Sequence, residues 1–449
     1  MLKMRFPILA VLIGMTLFGC QSPKPTSSLS GAKVPPSLPK TMAELAPPAP
    51  KDPLQDARPI LEKAYAEDPV HGTLTMVTLF DSSGAQPWGG GEPANDIGLE
   101  PKTMRALDLL VEASKKPELS SGRDWKSFDP SGSVDKTLSF VGRGAGLLSY
   151  RGKMFAEKGS AEAALTDFRA ALNLVRFTLQ EPFAHAPVIA SKMYEGILVD
   201  LEYALAHFYR DKATLGKVRS MLDEVAPKTI EPAKFLRGEV MYSLANEKFS
   251  IELDERRDER EHARNWNAAF VTSMYGFPPI SSGLEEKTML YQGPRGDERT
   301  RTIQFWEKAM QAADEVKHLS QLDQILEEEA DRLPKPEVVN GIARGGVGKL
   351  AFEVGANVAR CMRPFYTTRA LVTALEFRLK SGRWPTSLEE LPPIPSDPYT
   401  GYDCTMLEDK GKFYISYPDI TIKDYSSIRS GTLKEPGSHS VFPRDKNKK

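Results

Sequence analysis

The chain has 449 residues, long enough for two or three domains with proper cores. Apolar residues make up 41% and charged residues 27%, and 59 Lys plus Arg balance 60 Asp plus Glu, so no global field recruits nucleic acid or anionic lipid. Three cysteines exclude a disulfide-dense scaffold and a cysteine-cluster metal site.

The first elements read as an address. Lys3 and Arg5 open the chain with positive charge, Phe6 to Phe18 is an almost unbroken apolar run, and Leu17-Phe18-Gly19-Cys20 closes it. The run is shorter than the roughly 20 residues that span a bilayer, which makes residues 1–19 a secretory signal rather than an anchor helix. Its Leu-x-Gly-Cys ending resembles the lipobox of bacterial lipoproteins. The resemblance implies cleavage before Cys20, a diacylglycerol thioether on its sulfur and acylation of the new amino terminus. Two or more such chains, at about 0.8 kcal/mol per buried methylene, hold a protein on a membrane durably. The expected location is the bacterial cell envelope. By analogy with proteobacterial sorting, Gln21 in place of aspartate favours the outer membrane.

Residues 20–58 predict a tether, because segments such as Val34-Pro35-Pro36 and Ala46-Pro47-Pro48-Ala49-Pro50 favour extended, solvated backbone. A helical domain follows over residues 59–366. Its first helix falls at Ile60–Glu67, and Thr73–Phe80 suits a strand or a second helix. Trp88-Gly89-Gly90-Gly91 lies in a loop with no strand-to-helix junction and lysine to make a phosphate cradle.

Helical periodicity then dominates. Apolar residues recur at 147, 148, 154 and 155, then at 165, 168, 172, 175 and 179. Ile189, Met193, Ile197, Ala204, Leu205 and Phe208 form another stripe, and Leu215, Val218, Leu222 and Val225 a shorter one. The run Ile303, Trp306, Met310, Ala313, Leu319, Leu322 and Leu326 predicts one long amphipathic helix. Within this series Leu148, Gly152, Phe155, Gly159, Ala164, Phe168 and Ala171 resemble the spacing of a tetratricopeptide unit. That resemblance implies two antiparallel helices in close approach at the small residues, within stacked helix hairpins. Glu247–Arg264 is an exposed, ion-paired helical face, and Tyr275–Arg299 a long loop. Gly345-Gly346-Val347-Gly348-Lys349 lacks both the upstream glycine and the following Ser or Thr of a phosphate loop.

Residues 367–430 make a second unit. Ala370, Leu371, Leu375 and Leu379 form a helical stripe that stops at Gly382. Arg383-Trp384-Pro385, Asp397-Pro398-Tyr399-Thr400-Gly401 and the alternating Phe413, Ile415 and Tyr417 follow. This order is similar to the globular end of the major pseudopilin of type II secretion systems. It implies a helix leading through two turns into an antiparallel hairpin. The family's methylated amino-terminal helix and acidic calcium loop have no counterpart here. Residues 431–449 are a tail.

The predicted fold class is therefore mainly α, stacked helix hairpins or a helical bundle with a small C-terminal α+β module. Cys361 and Cys404 are left either as a disulfide or as two buried thiols. No catalytic, cofactor-binding or metal-ligating set stands out: the six histidines form no close pair, and no Gly-x-Ser-x-Gly or His-Glu-x-x-His occurs in a suitable setting. The function expected is a non-enzymatic scaffold that meets the membrane through Cys20 and a protein or peptide through its helix surfaces, with no nucleic-acid partner. An envelope hydrolase without a local signature and an accessory subunit of a secretion or pilus apparatus are the alternatives.

Overall fold

The computed structural model describes residues 38–67, 101–122, 125, 136–241, 296–333, 349–409 and 412–417. Among these the protein is mainly α, with ten helices packed as a bundle. They are α1 Arg58–Glu67, α2 Pro101–Ser114, α3 Lys136–Glu157, α4 Ala161–Thr178, α5 His185–Phe208 and α6 Lys212–Val225. A helix over 232–241 is α7, followed by α8 Gly296–Glu315, α9 Leu319–Ala330 and α10 Val354–Ser381. None of the helices searched among the described residues is long and apolar enough to cross a membrane.

The predicted stripes explain how the helices pack. Leu165, Phe168, Leu172 and Val175 of α4 are buried, as are Met193, Ile197, Ala204 and Leu205 of α5. α1 packs on α2 and α3 on α4; α3 and α5 lie side by side, as do α5 and α10. At Gly152 an added methyl would sit 3.1 Å from the Phe168 ring, so glycine lets α3 close on α4 with the aromatic filling the gap. Asp211 starts α6 by accepting the N–H groups of Ala213 at 2.9 Å and Thr214 at 3.3 Å, a cap worth about 1 kcal/mol. α10 ends at Gly382, which adopts φ 75°, the left-handed stop expected there.

Two hydrophobic cores result. The first joins α1 to α6 with the later part of α10 and, from the C-terminal unit, Trp384, Cys404, Ile415 and Tyr417. The second gathers Phe183, Phe235, Trp306, Leu322, Leu326 and Val354 from the start of α5 and from α7, α8, α9 and the start of α10. α10 thus serves both: Val354 and Val358 face the second core, Cys361 and Phe365 the first. The interior Pro364 lies at this handover, where it cannot donate to the Arg360 carbonyl.

Four expectations need correction. The long helix predicted from Ile303 to Leu326 is two helices, broken at 316–318, where Gln321 accepts the His318 N–H at 3.2 Å and restarts the chain as α9. Residues 296–299, expected in a loop, already belong to α8. The segment from 38 on, expected within the tether, packs instead: Leu38 and Leu45 are buried in the second core. The proposed boundary at 366/367 falls inside α10, whose buried face runs on across it. β1 Thr405–Asp409 and β2 Lys412–Ser416 pair antiparallel, with Thr405 opposite Ser416 and Asp409 opposite Lys412. The predictions on 73–80, 88–91, 247–264 and 345–348 lie outside the described residues, as does Cys20.

Candidate interaction surface

Helix periodicity puts Lys192, Glu195, Val199, Tyr203 and His207 of α5 on one outward row, opposite the stripe buried in the first core. Two of them are large and apolar for such a place: Val199 is 41% exposed and Tyr203 43%. Singly exposed apolar residues are ordinary, but these two stand one turn apart on a helix otherwise correctly patterned.

α3 supplies the neighbouring polar frame. Asp200 accepts from Ser149 Oγ at 2.8 Å and from Lys153 Nζ at 2.9 Å, which fixes the register of α5 on α3. The same Lys153 ammonium stands 5.1 Å from the Tyr203 ring centroid, and the Tyr203 hydroxyl donates to Glu157 Oε1 at 3.1 Å. The His207 ring lies 5.6 Å from that of Tyr203. Partial burial, and then the Glu157 carboxylate, push the Tyr203 hydroxyl above its ordinary value, so it remains a neutral donor. On the other side of α5, Thr368 Oγ1 of α10 donates to the buried Glu202 Oε1 at 2.8 Å. α5 is therefore fastened along both flanks, and its outward row is held rigidly.

What this arrangement can do is hold a partner. Tyr203 offers an apolar ring fixed by a cation on its face and an acid at its hydroxyl, the kind of side chain that anchors interfaces at low entropic cost. Sequence reasoning missed Val199, Tyr203 and Lys153. The available signal was two large apolar residues at i and i+4 lying off the stripe that runs from Ile189 to Phe208.

The cysteines singled out from sequence do not meet as a bridge. Cys361 and Cys404 are both buried free thiols, and Cys361 Sγ donates to the Pro187 carbonyl at 3.2 Å. Burial raises the Cys361 thiol and, with Asp403, pushes Cys404 up to about 11, so neither is a ready thiolate. Among the described residues no three His, Cys, Asp or Glu side chains gather as a metal site. The Asp397 turn instead joins the C-terminal unit to the bundle. Burial opposes ionisation of Asp397, but paired N–H bonds from Arg363 and the Thr400 hydroxyl outweigh it and hold the carboxyl below its usual range. Pro398 and Tyr399 carbonyls then accept the Leu319 and Ser320 N–H groups at 3.2 and 3.0 Å, seating the turn on the start of α9.

The fold and surface thus define a mainly α protein with a rigid, partly apolar outer helix row. Neither family models nor curated proteins nor solved structures yield a match to the chain.

Proposed function

We propose that this protein is a lipid-anchored lipoprotein of the bacterial envelope whose folded part is a non-enzymatic scaffold, binding a protein or peptide along the outer faces of α3 and α5. In this reading α1 with α2, α3 with α4 and α5 with α6 form stacked helix hairpins, and the segment after α10 is a small α+β module. The observation that carries the binding role is the pair Val199 and Tyr203, exposed on α5, with Tyr203 braced by Lys153 and Glu157. The anchoring role rests on the lipobox-like ending at Cys20, and the packing of the chain from Leu38 leaves residues 21–37 between lipid and body.

Quantitative pull-down from envelope membranes tests both halves. The full chain carrying Val199→Asp and Tyr203→Ala is expected to lose a partner that the unaltered chain retains, while staying in the membrane fraction. Cys20→Ala is expected to abolish fatty-acid labelling and release the protein from membranes. Unchanged partners with the α5 variant would remove the binding role, and substrate turnover by the purified protein would favour the hydrolase alternative.

A further inference from the structure

The two ends of the outer row of α5 are shaped to fit each other. At about 100° and 1.5 Å per residue, Gly196 and Tyr203 lean to the same edge of the row, about 4.5 and 6 Å on either side of Val199. That edge is the α3 side, because Asp200, turned furthest that way, is the residue bonded to Ser149 and Lys153. Gly196 is half-buried and carries no side chain, whereas Tyr203 is 43% exposed and presents its ring. A gap and an aromatic knob therefore stand at similar distances from Val199, which is itself exposed.

The charges obey the same symmetry. Lys192, exposed about 10 Å before Val199 along the axis, has no hydrogen bond or ion pair among the described residues. Glu157, exposed at the other end, accepts the Tyr203 hydroxyl on Oε1 at 3.1 Å and keeps Oε2 without a donor among the described residues. Glu195 leans to the opposite edge, where its charge acts on Arg360 of α10. One end of the row thus offers a cation and the other an acid. A surface that meets a copy of itself about a twofold axis must be self-complementary in this way, whereas contact with an unrelated protein imposes no such match.

We propose that the partner of this row is a second copy of the chain, joined antiparallel about a twofold axis at Val199; the inference rests on the binding role proposed above. Rotation about that axis, which lies in the interface and crosses the helices, reverses α5 and keeps the α3 edge on the same side. Each Tyr203 ring then covers the partner's Gly196, the two Val199 side chains meet, and each Lys192 faces the partner's Glu157. Glycine lets the helices approach closely, and the aromatic rings fill the space that it leaves. With Cys20 holding both copies on one membrane, high local concentration lets a contact of modest area form.

Photocrosslinking of the full chain in envelope membranes tests this, with a photoreactive side chain replacing Val199. The expected adduct contains two copies of the chain, joined through the peptide that holds residues 196–203. Lys192→Glu and Glu157→Lys are each expected to lower its yield at least about fivefold, because each sets like charges face to face at both ends of the pair. Combining the two reversals in one chain restores opposite charges across the axis and should recover most of the yield. Undiminished yield in the single variants, or no recovery in the combined one, would overturn the antiparallel pairing. An adduct with a different protein would overturn the inference and leave the binding role standing. A link confined to one chain, or no link at all, would overturn both.

Discussion

The two cores give their carboxyls different partners. In the first, Arg151 donates to both oxygens of the buried Asp167, at 2.7 and 2.8 Å, and to Asp108 at 2.9 Å, tying α2, α3 and α4 together. Burial alone would lower the Arg151 guanidinium, but Asp167 and Asp108 raise it, so the group keeps its charge. Arg176, half-buried and with no carboxylate partner among the described residues, instead donates to the Ser114 and Lys116 carbonyls at the end of α2, where a helix presents negative charge. In the second core Glu239 and Asp323 have, among the described residues, N–H and O–H donors as partners. A cation beside a buried acid favours its charged form, whereas burial disfavours that form. In the first core burial raises Asp167 against the pull of Arg151, and in the second it raises Glu239 and Asp323 against the N–H and O–H donors that the described residues supply.

Truncating a large side chain in each core should break this comparison most forcefully. Phe168→Ala and Trp306→Ala remove rings that are wholly buried in the first and second core, and each is expected to cost about 3–5 kcal/mol. Chemical denaturation measures the loss, and limited proteolysis locates it. Phe168→Ala should open α3 and α4, whereas Trp306→Ala should open α8 and α9 and leave α3 and α4 protected. Equal opening everywhere would show a single cooperative core.

Next in size is the ion network. Asp167→Ala leaves Arg151 facing only the largely exposed Asp108, at an expected cost of about 3 kcal/mol in urea unfolding. The paired change Arg151→Met with Asp167→Leu should restore most of that loss, since an apolar pair of similar volume needs no counter-charge. Equal losses in the single and paired variants would assign the stabilisation to shape instead.

The pH response follows in magnitude. Two carboxyls raised to about 7 make the folded state the better proton binder from about pH 4 upward, so the thermal midpoint should rise as pH falls from 7.5 to 5.5. Groups with lowered values act elsewhere: Glu390 is held at about 2 by Arg383 and the Thr386 N–H, and Asp397 by Arg363, so their contributions disappear only in stronger acid. A midpoint that rises toward pH 7.5 would contradict the contrast between the cores.

How much of this was written in the sequence differs along the chain. Leu165, Phe168, Leu172 and Val175 announced α4, and Gly382 announced the end of α10, because a 3.6-residue period and a left-handed stop are local properties. The break between α8 and α9 was hidden because Leu319, Leu322 and Leu326 continue an apolar series across Val316-Lys317-His318. Leu38 and Leu45 were masked by the prolines around them: averaged composition speaks for a segment, while packing selects two of its side chains. Glu239 and Asp323 carried no mark at all, since a lone acidic residue gives no sign of burial until distant helices close over it. The outward row on α5 was half legible, its buried stripe being plain and its exposed Val199 and Tyr203 visible only as departures from that stripe.

The smallest expected effect on stability belongs to that row. Val199→Asp should change folding free energy by no more than about 0.5 kcal/mol, because the residue is exposed and makes no polar contact, while partner retention is lost.

Site-specific photocrosslinking in intact envelopes addresses the binding claim most directly. A photoreactive side chain replacing Tyr203 should form a discrete protein adduct that disappears when Lys153→Glu reverses the neighbouring charge. The same probe replacing Leu379, which is exposed to a similar degree at 40%, should form none. Identical adducts from both positions, or none from 203, would mean that the outer row of α5 is ordinary surface and that the scaffold binds elsewhere or not at all.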